Sequence, residues 1–429
     1  MKSFLKWTAL VLLPVLTLVL SGAPLHAAPS AESLQWLPLA GIALATNTLG
    51  NYDETFFVQE ALIQLEKVLG MAGRVHRDAT AESQVKGATV AMRRPASFTA
   101  TEMPVSDSNV PTESVNLTFN KWWGVQFGLT DKDLTLSAPQ IIQNHIRPAA
   151  VAVADKIDQT LAALYLDIPW ISAQTATPAL ADIAAIRKIM RDNKVPLDDN
   201  TKLHYMIDSA TELAYINALA AAGQQANTQD PALRSGSMGR LYGYDTWANQ
   251  NTPTHTSGVA ADAAGAIDFG SGSTAVYAAG TTTIHVDGLT SGATLKTGDT
   301  FLITGDAQRY VLTADGANES TGDIDVTFAP ALKQAVDENT VVTFVITGSA
   351  KVQCLAFHSN AFMLGMAPLS TLGDGLGARM ATKADPISGL SLRSTLWYDA
   401  PNAVVKVRLD ALWGVKTLDC NLAVRGYDA

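Results

Sequence analysis

Residues 282–316, TTIHVDGLTSGATLKTGDTFLITGDAQRYVLTADG, decide the fold class. Short runs of β-branched and aromatic residues alternate with the pairs Asp287-Gly288, Gly298-Asp299 and Asp315-Gly316. Asp/Gly pairs close tight turns, and the runs between them have the length of strands. Strands are predicted over 282–286, 300–304 and 310–313, and the same pattern continues at 324–328 and 341–346. Short strands at regular spacing point to a small β-barrel or sandwich, with the Thr and Asp positions on its outer face.

Working outward, the whole of 256–349 differs in composition from its surroundings. It is rich in Thr, Ser, Gly and Asp and contains no Trp. Its eleven acidic residues face three basic ones (Lys296, Arg309, Lys333), so it carries -8 of the chain's formal net charge of -10. Helix-bearing sequence precedes it and strand-rich sequence follows it. That order predicts an α+β host, 42–255 and 350–429, into which 256–349 is inserted as a small all-β domain.

The host has its own pattern. Residues 52–69 read as a helix with Phe56, Leu62, Leu65 and Leu69 on one face. Residues 85–129 read as a long two-stranded excursion. Val115, Leu117, Phe119, Trp123, Val125, Phe127 and Leu129 share one face of its second strand. A hairpin of this kind is not stable alone and needs a partner surface. A long helix follows over about 139–165, capped by Ser137, with Ile142, Ile146, Ala149, Val153, Ile157, Leu161 and Leu164 as its buried stripe. Pro148 is expected to kink it, because an interior proline costs about 3 kcal/mol. Further helices are predicted at 178–194 and 209–223, the second with a capping box formed by Ser209 and Glu212. The chain closes with a hairpin: Leu390, Leu392, Leu396 and Tyr398, a turn at 399–402, then Val405, Val407, Leu409, Trp413 and Val415.

Composition narrows the function classes. The apolar fraction is 47%, enough for a real core. Charged residues make up 16%, against about 25% in an average globular protein. Low charge fits a chain that buries itself against its own copies, and it equally fits an ordinary Thr- and Ala-rich protein. The acidic balance argues against sequence-specific nucleic-acid binding. Cys354 and Cys420 are too few for a disulfide framework and read as small buried hydrophobes. At the N-terminus, Lys2 and Lys6 flank the apolar run 7–20, and Leu25-His26-Ala27 resembles a cleavage site, the pattern of a secretory signal. Read alone, that leader makes the chain a secreted or periplasmic binding or adhesion protein.

No catalytic constellation is found, no cofactor or metal is implied, and the chain is not expected to be an enzyme. Gly373-x-Gly375-x-x-Ala378 resembles a dinucleotide fingerprint, but no helical pattern follows it. His358 sits in an apolar run and reads as a satisfied core or interface residue. Asp323 and Asp325 lack the spacing of a calcium loop and read as a solvated face. The sequons at Asn116 and Asn318 are of a kind common by chance. For Arg93 and Arg94 two readings stay open, pairing with a neighbour's carboxylates or a solvated strand end.

Several segments, in this order, carry a resemblance to tailed-phage major capsid proteins: ALATNTLGNYD, EALIQLEKVLGMAGRVHRD, VKGATVAMRRPASF, SAPQIIQNHIRPAAVAVADKIDQTLAALYLDIPW, ADIAAIRKIMRDNKVPLD, SMGRLYGYDTWANQNTPTHTSG, LAFHSNAFMLGMAPL and WGVKTLDCNLAVRG. The chain is most similar to the group with a β-barrel inserted in the shell fold, as in the Salmonella podophage coat protein. The resemblance implies the Hong Kong phage shell fold, with N-arm, E-loop (85–129), spine helix, peripheral domain and, near 373–377, an axial domain. It implies self-assembly into hexamers and pentamers of an icosahedral virion that encloses DNA without reading its sequence. Scaffolding and portal proteins are the further partners it implies, with assembly in the host cytoplasm and no membrane. Arg93, Arg94, Asp107, Glu113, Asp262 and Asp268 are the candidate intersubunit contacts. Residues 1–41 do not fit the pattern and are expected to lie outside the working subunit.

Overall fold

The computed structural model describes residues 54–77, 89–93, 102–103, 114–130, 145–174, 178–223, 238–259, 264–269, 276–317, 322–345, 349–371, 377–385 and 389–427. The signal-like segment 1–41, the loop glycines Gly373 and Gly375, and the expected helix start at Ser137 lie outside them.

Helix α1 is Glu54–Val68. Strands β1 (Thr89–Arg93) and β2 (Ser114–Thr118) pair antiparallel as a two-stranded ribbon, with Thr89 opposite Thr118 and Arg93 opposite Ser114. The ribbon's second strand does not run on to 129. It stops at Thr118, and β3 (Lys121–Thr130) joins a different sheet. Helix α2 is Arg147–Ala162, continued by a 3-10 turn over Ala163–Asp167. Pro148 lies in the first turn of α2, just after a π turn at His145 and Ile146, so it opens the α-helix instead of kinking its middle. A first-turn proline has no intrahelical N–H bond to lose. The stripe Ile146, Ala149, Val153, Ile157 and Leu161 is buried, as its spacing predicts.

Beyond β4 (Ile171–Ala173) comes α3 (Leu180–Asp192), where Asp182 accepts from the Ala179 N–H at 2.8 Å and closes the first turn. Then β5 (Leu203–Ile207) leads to α4 (Ser209–Gly223). The cap of α4 is Asp208, not Ser209: its carboxylate accepts from Ala210 N and Thr211 N, both at 3.1 Å. A carboxylate also complements the helix dipole better than a hydroxyl. Strands β6 (Arg240–Leu241), β7 (Tyr244–Ala248) and β8 (Thr254–Thr256) follow.

The next stretch is all β. Its strands are β9 (Ala264–Ile267), β10 (Val276–Tyr277), β11 (Thr283–Asp287), β12 (Thr294–Leu295), β13 (Thr300–Ile303), β14 (Arg309–Leu312), β15 (Gly316–Ala317), β16 (Ile324–Ala329), β17 (Val336–Asp337) and β18 (Val341–Val345). Six of them close a barrel in the order β11-β16-β14-β13-β18-β9. Burial alternates along β16, so Ile324, Val326 and Phe328 point inward while Asp325 faces solvent. The barrel interior is aromatic: Phe301 touches Tyr310, Phe328 and Phe344 at centroid distances of 5.3–5.4 Å, with Phe301–Phe328 edge-to-face at 5.3 Å. Closure removes the free edges that a sandwich would leave.

The chain returns through β19 (Ala350–His358) and continues as β20 (Phe362–Ala367), β21 (Ala378–Ala384), β22 (Ser391–Asp399), β23 (Val404–Thr417) and β24 (Ala423–Tyr427). A 3-10 turn at Ser359–Ala361 divides what the sequence offers as one apolar run into β19 and β20. Two larger sheets result. One is ordered β4-β24-β19-β5-β7-β6, and the other is β20-β23-β22-β21 with β3 added alongside β23. Alternate residues of the first sheet feed two cores. Met206, Leu355, Phe357 and Ala423 pack with α1 and α2, whereas Tyr205, Ile207, Cys354, Ala356 and Val424 pack with α3 and α4. The first core continues onto the second sheet through Leu392, Leu409 and Trp413. Strands β8 and β19 pair antiparallel, Thr256 opposite Ala350, so the chain leaves for the barrel and comes back side by side.

Candidate functional site

Of the candidate contact residues, Arg94, Asp107, Glu113 and Asp262 lie outside the described residues. Arg93 ends β1 on the ribbon. Asp268 follows β9 on the barrel, its N–H donating to the His285 carbonyl at 3.1 Å. The two belong to different elements and form no common site. Beside Asp268, His285 Nδ1 lies 2.8 Å from Asp325 Oδ1 across the β11–β16 pair, and Asp325 is exposed. Asn116 sits on β2, and Asn318 lies outside the described residues.

The junction of barrel and host is the most elaborate polar arrangement among the described residues, and no sequence motif announces it. Asp299, from the turn before β13, is buried. Its Oδ1 accepts from His255 Nε2 at 2.9 Å, and its Oδ2 accepts from Gly258 N at 3.0 Å and Lys296 N at 2.7 Å. In the tautomer that donates from Nε2 to Asp299, Nδ1 is left to accept from the Tyr165 hydroxyl at 3.2 Å. Burial pushes the Tyr165 hydroxyl's pKa up, which keeps it a donor. Arg425 of β24 donates from Nη2 to Gly298 O at 2.8 Å, and its guanidinium stands 5.7 Å from the Tyr165 ring centre. Burial pulls Arg425 down to about 10, with Tyr165 and Asp299 opposing the fall. Thus the 3-10 turn after α2, β8, β24 and the barrel's 296–300 turn are held in one network.

Close approach reinforces it. Gly298 has φ +96°, and a Cβ there would lie 2.4 Å from Leu166 Cδ2. A Cβ on Gly258 would fall 1.9 Å from Thr294 O. Glycine is required at 298 both by conformation and by space.

The ribbon has a thinner foundation. Its root is a small core of Val90, Leu117, Phe119 and Met363. Next to it, Trp122 is 60% exposed and Trp123 50% exposed. The Trp123 ring, on the face it shares with Val125 and Phe127, receives Lys156 of α2 at 4.6 Å. Long cations cover apolar rings in this way without leaving water. Trp122 Nε1 donates to Asp410 Oδ2 at 3.0 Å. Asp410 is buried and pairs in bidentate fashion with Arg393, Nε to Oδ1 at 3.1 Å and Nη2 to Oδ2 at 2.6 Å. This ion pair ties β22, β23 and β3 together.

A third cluster fixes α1 to α2. The Asp158 carboxylate accepts three backbone N–H bonds, from Gly70 at 2.8 Å, Met71 at 3.3 Å and Ala72 at 3.1 Å. Burial still raises its pKa, with those bonds opposing. Close by, Arg74 Nε donates to Asp245 Oδ2 at 2.9 Å and its guanidinium lies 4.1 Å from the Trp247 ring centre. His204 Nε2 is 3.2 Å from Ser359 Oγ, and its Nδ1 is 3.5 Å from Asp245 Oδ2. Burial first, and Arg74 second, bring His204 down to about 4.

The remaining sequence candidates are structural. His358 Nδ1 accepts from Asn360 N at 3.2 Å and caps the turn between β19 and β20. Cys354 is buried and its thiol is pushed up to about 11 by burial, so it is unreactive. Cys420 is only half-buried. Ala378 begins a strand, so the 373–378 glycine pattern does not open a helix. Among the described residues no group of His, Cys, Asp and Glu is arranged to hold a metal ion, and no helix is long and apolar enough to cross a membrane.

No protein-family model matches the chain, and no curated protein sequence matches it. Solved structures do resemble it. One is from Mycobacterium phage Che8, at 13% identity and TM-score 0.46, covering 83% of this chain and 90% of that one. A second is the asymmetric unit of the bacteriophage PhiM1 mature capsid, at 11% identity and TM-score 0.42, covering 83% and 86%. A third is the acidic stable capsid of Helicobacter pylori bacteriophage KHP30, at 10% identity and TM-score 0.41, covering 84% and 90%.

Proposed function

We propose that the chain is the major capsid subunit of a tailed phage, with the Hong Kong phage shell fold, and that it self-assembles into the icosahedral shell enclosing the genome. The observation that carries the reading is the ribbon β1–β2. Among the described residues it stands on a core of four buried residues with Met92, Ala367, Leu412 and Leu418 packed against them, while a two-stranded hairpin is marginal in water. Its stability is best supplied by a neighbouring copy. The spread of capsid-like segments along the chain supports the same reading. So does the combination of a helix, α2, packed against the long strands β3 and β23 with a separate two-stranded ribbon and a closed barrel.

In this reading 85–129 is the E-loop, α2 the spine helix, and 256–349 an inserted domain projecting from the shell. Copies meet as hexamers and pentamers, scaffolding and portal proteins are the further partners, and DNA is enclosed without base readout. Each contact is weak, and repetition over a closed shell makes the whole strong. The role is structural and requires no catalytic group.

The test is expression of the chain, and in parallel of residues 42–429, followed by electron microscopy and intact-mass measurement. Closed shells or capsomer sheets are expected. Monomers that persist across salt, pH and concentration would refute the assignment and favour a binding or adhesion protein. Recovery of residues 1–41 in assembled particles would refute their exclusion from the working subunit.

A further inference from the structure

The cleft where barrel and host meet contains two buried polar groups with nothing to bind. Arg425 and Thr300 are each 2% exposed, and Arg425 Nε and Thr300 Oγ1 have no hydrogen-bond partner among the described residues. Both line a cleft of about 30 Å³, with Lys351 on its wall. One water occupies about 10–15 Å³ by this measure, so the space suits one or two atoms of that size and no organic ligand.

Charge selects the occupant. The cleft is lined by two cations, Arg425 and Lys351, and one carboxylate, Asp299. Both oxygens of Asp299 are already committed, to His255 on one side and to Gly258 N and Lys296 N on the other. Arg425 makes no ion pair among the described residues, and its one hydrogen bond to the barrel goes to a neutral carbonyl. Asp299 acts on Arg425 through space only, and a buried cation that no anion bonds directly carries a desolvation penalty. Of the residues that line the cleft, Arg425 keeps an open N–H that can only donate and Thr300 an open hydroxyl that can donate.

We infer that this cleft is a binding site for a monatomic anion, chloride under ordinary conditions, held by Arg425 Nε and Thr300 Oγ1 with Lys351 alongside. The ion then completes the weld between barrel and host, since Thr300 belongs to β13 and Arg425 to β24. The inference is independent of the shell assignment and survives its failure.

The probe is chloride itself, observed as ³⁵Cl line broadening on the full chain, with bromide as competitor. The variants are Thr300→Val, which removes a hydroxyl that bonds nothing in the protein, and Lys351→Met. A hydrogen bond to a charged group is worth about 1.5–3 kcal/mol, so T300V should weaken chloride binding about tenfold or more. The wild type should also lose melting temperature when gluconate replaces chloride at constant ionic strength, and T300V should lose less. Equal broadening in wild type and both variants, no broadening at all, or a site that holds ordered water regardless of halide would overturn the inference.

Discussion

His204 makes the stability of the fold depend on pH in a defined interval. The ring lies between β7 and β19. Its Nε2 faces Ser359, Phe357 and Trp247 pack around it, and Arg74, Asp245 and His358 supply the nearby charge. The folded chain binds a proton there only near pH 4, whereas the unfolded chain does so from 6.5. Between those values the unfolded state holds more protons, so stability is full above about 6.5 and falls as pH drops toward 4. Each tenfold difference in proton affinity is worth 1.36 kcal/mol, which bounds the loss at roughly 3.4 kcal/mol. Arg74 and Asp245 are partly solvated, so screening reduces this to about 2 kcal/mol. The assay is equilibrium urea unfolding at pH 7.0 and about 4.5 for wild type and His204→Gln, a change that keeps a polar group toward Ser359. Wild type should lose about 2 kcal/mol more than the variant over that interval. His358 is also lowered by burial, but it titrates in both proteins and cancels. Parallel pH dependences in the two proteins would refute the assignment of the acid limb to His204.

Other sites give distinct outcomes. Gly298→Ala combines a positive φ with contact on Leu166; it should destabilise by about 2–4 kcal/mol in thermal unfolding, more than a left-handed backbone alone explains. Asp410→Asn leaves Arg393 buried without its counter-charge and should cost about 3–5 kcal/mol, whereas Trp122→Phe, which removes one hydrogen bond to the same carboxylate, should cost about 1 kcal/mol. Asp158→Ala strands three buried N–H groups and should cost more than 3 kcal/mol in urea titrations, on the order of the penalty for unsatisfied donors. Asp268→Lys reverses charge on the barrel surface and tests the proposed intersubunit role: shell assembly followed by light scattering should weaken or change its salt dependence, and no change in either would reduce the acidic bias to a matter of solubility.

Periodicity made much of the fold legible. The α2 stripe Ile146, Ala149, Val153, Ile157 and Leu161 and the alternation of Ile324, Val326 and Phe328 in β16 each report a buried face directly. What stayed hidden has physical causes. Strand β9, AGAI, closes the barrel yet consists mostly of small residues, so no hydrophobic alternation marks it. Alternation put Trp123 on the apolar face of its strand but could not show that a cation, Lys156, meets its ring. The cap of α4 was assigned to Ser209 because Ser and Glu212 match a capping box, while the neighbouring Asp208 is the stronger acceptor. The junction was invisible for a different reason. Tyr165, His255, Asp299 and Arg425 come from four distant segments, and each alone reads as an ordinary polar residue. Only the Gly298-Asp299 pair belonged to both the visible turn pattern and the hidden network.

The two projections of the body differ in what holds them, and that difference orders the effects of mutation. The barrel owns a core, Phe301, Tyr310, Phe328 and Phe344 among others, and is welded to the host by Asp299 and Arg425. The ribbon shares a four-residue root with the sheet below it. Substitutions in the barrel interior therefore act on the single subunit, through cavity and transfer costs of about 3–5 kcal/mol for Phe→Ala, before any neighbour is met. The buried Val90 and Leu117 belong to the root and act on folding, whereas substitutions at the exposed ribbon positions, such as Thr89, Ala91, Ser114 and Asn116, leave that subunit nearly unchanged. In the proposed shell their cost appears only when copies meet, so the same assay run on unassembled and assembled protein separates a folding element from an assembling one.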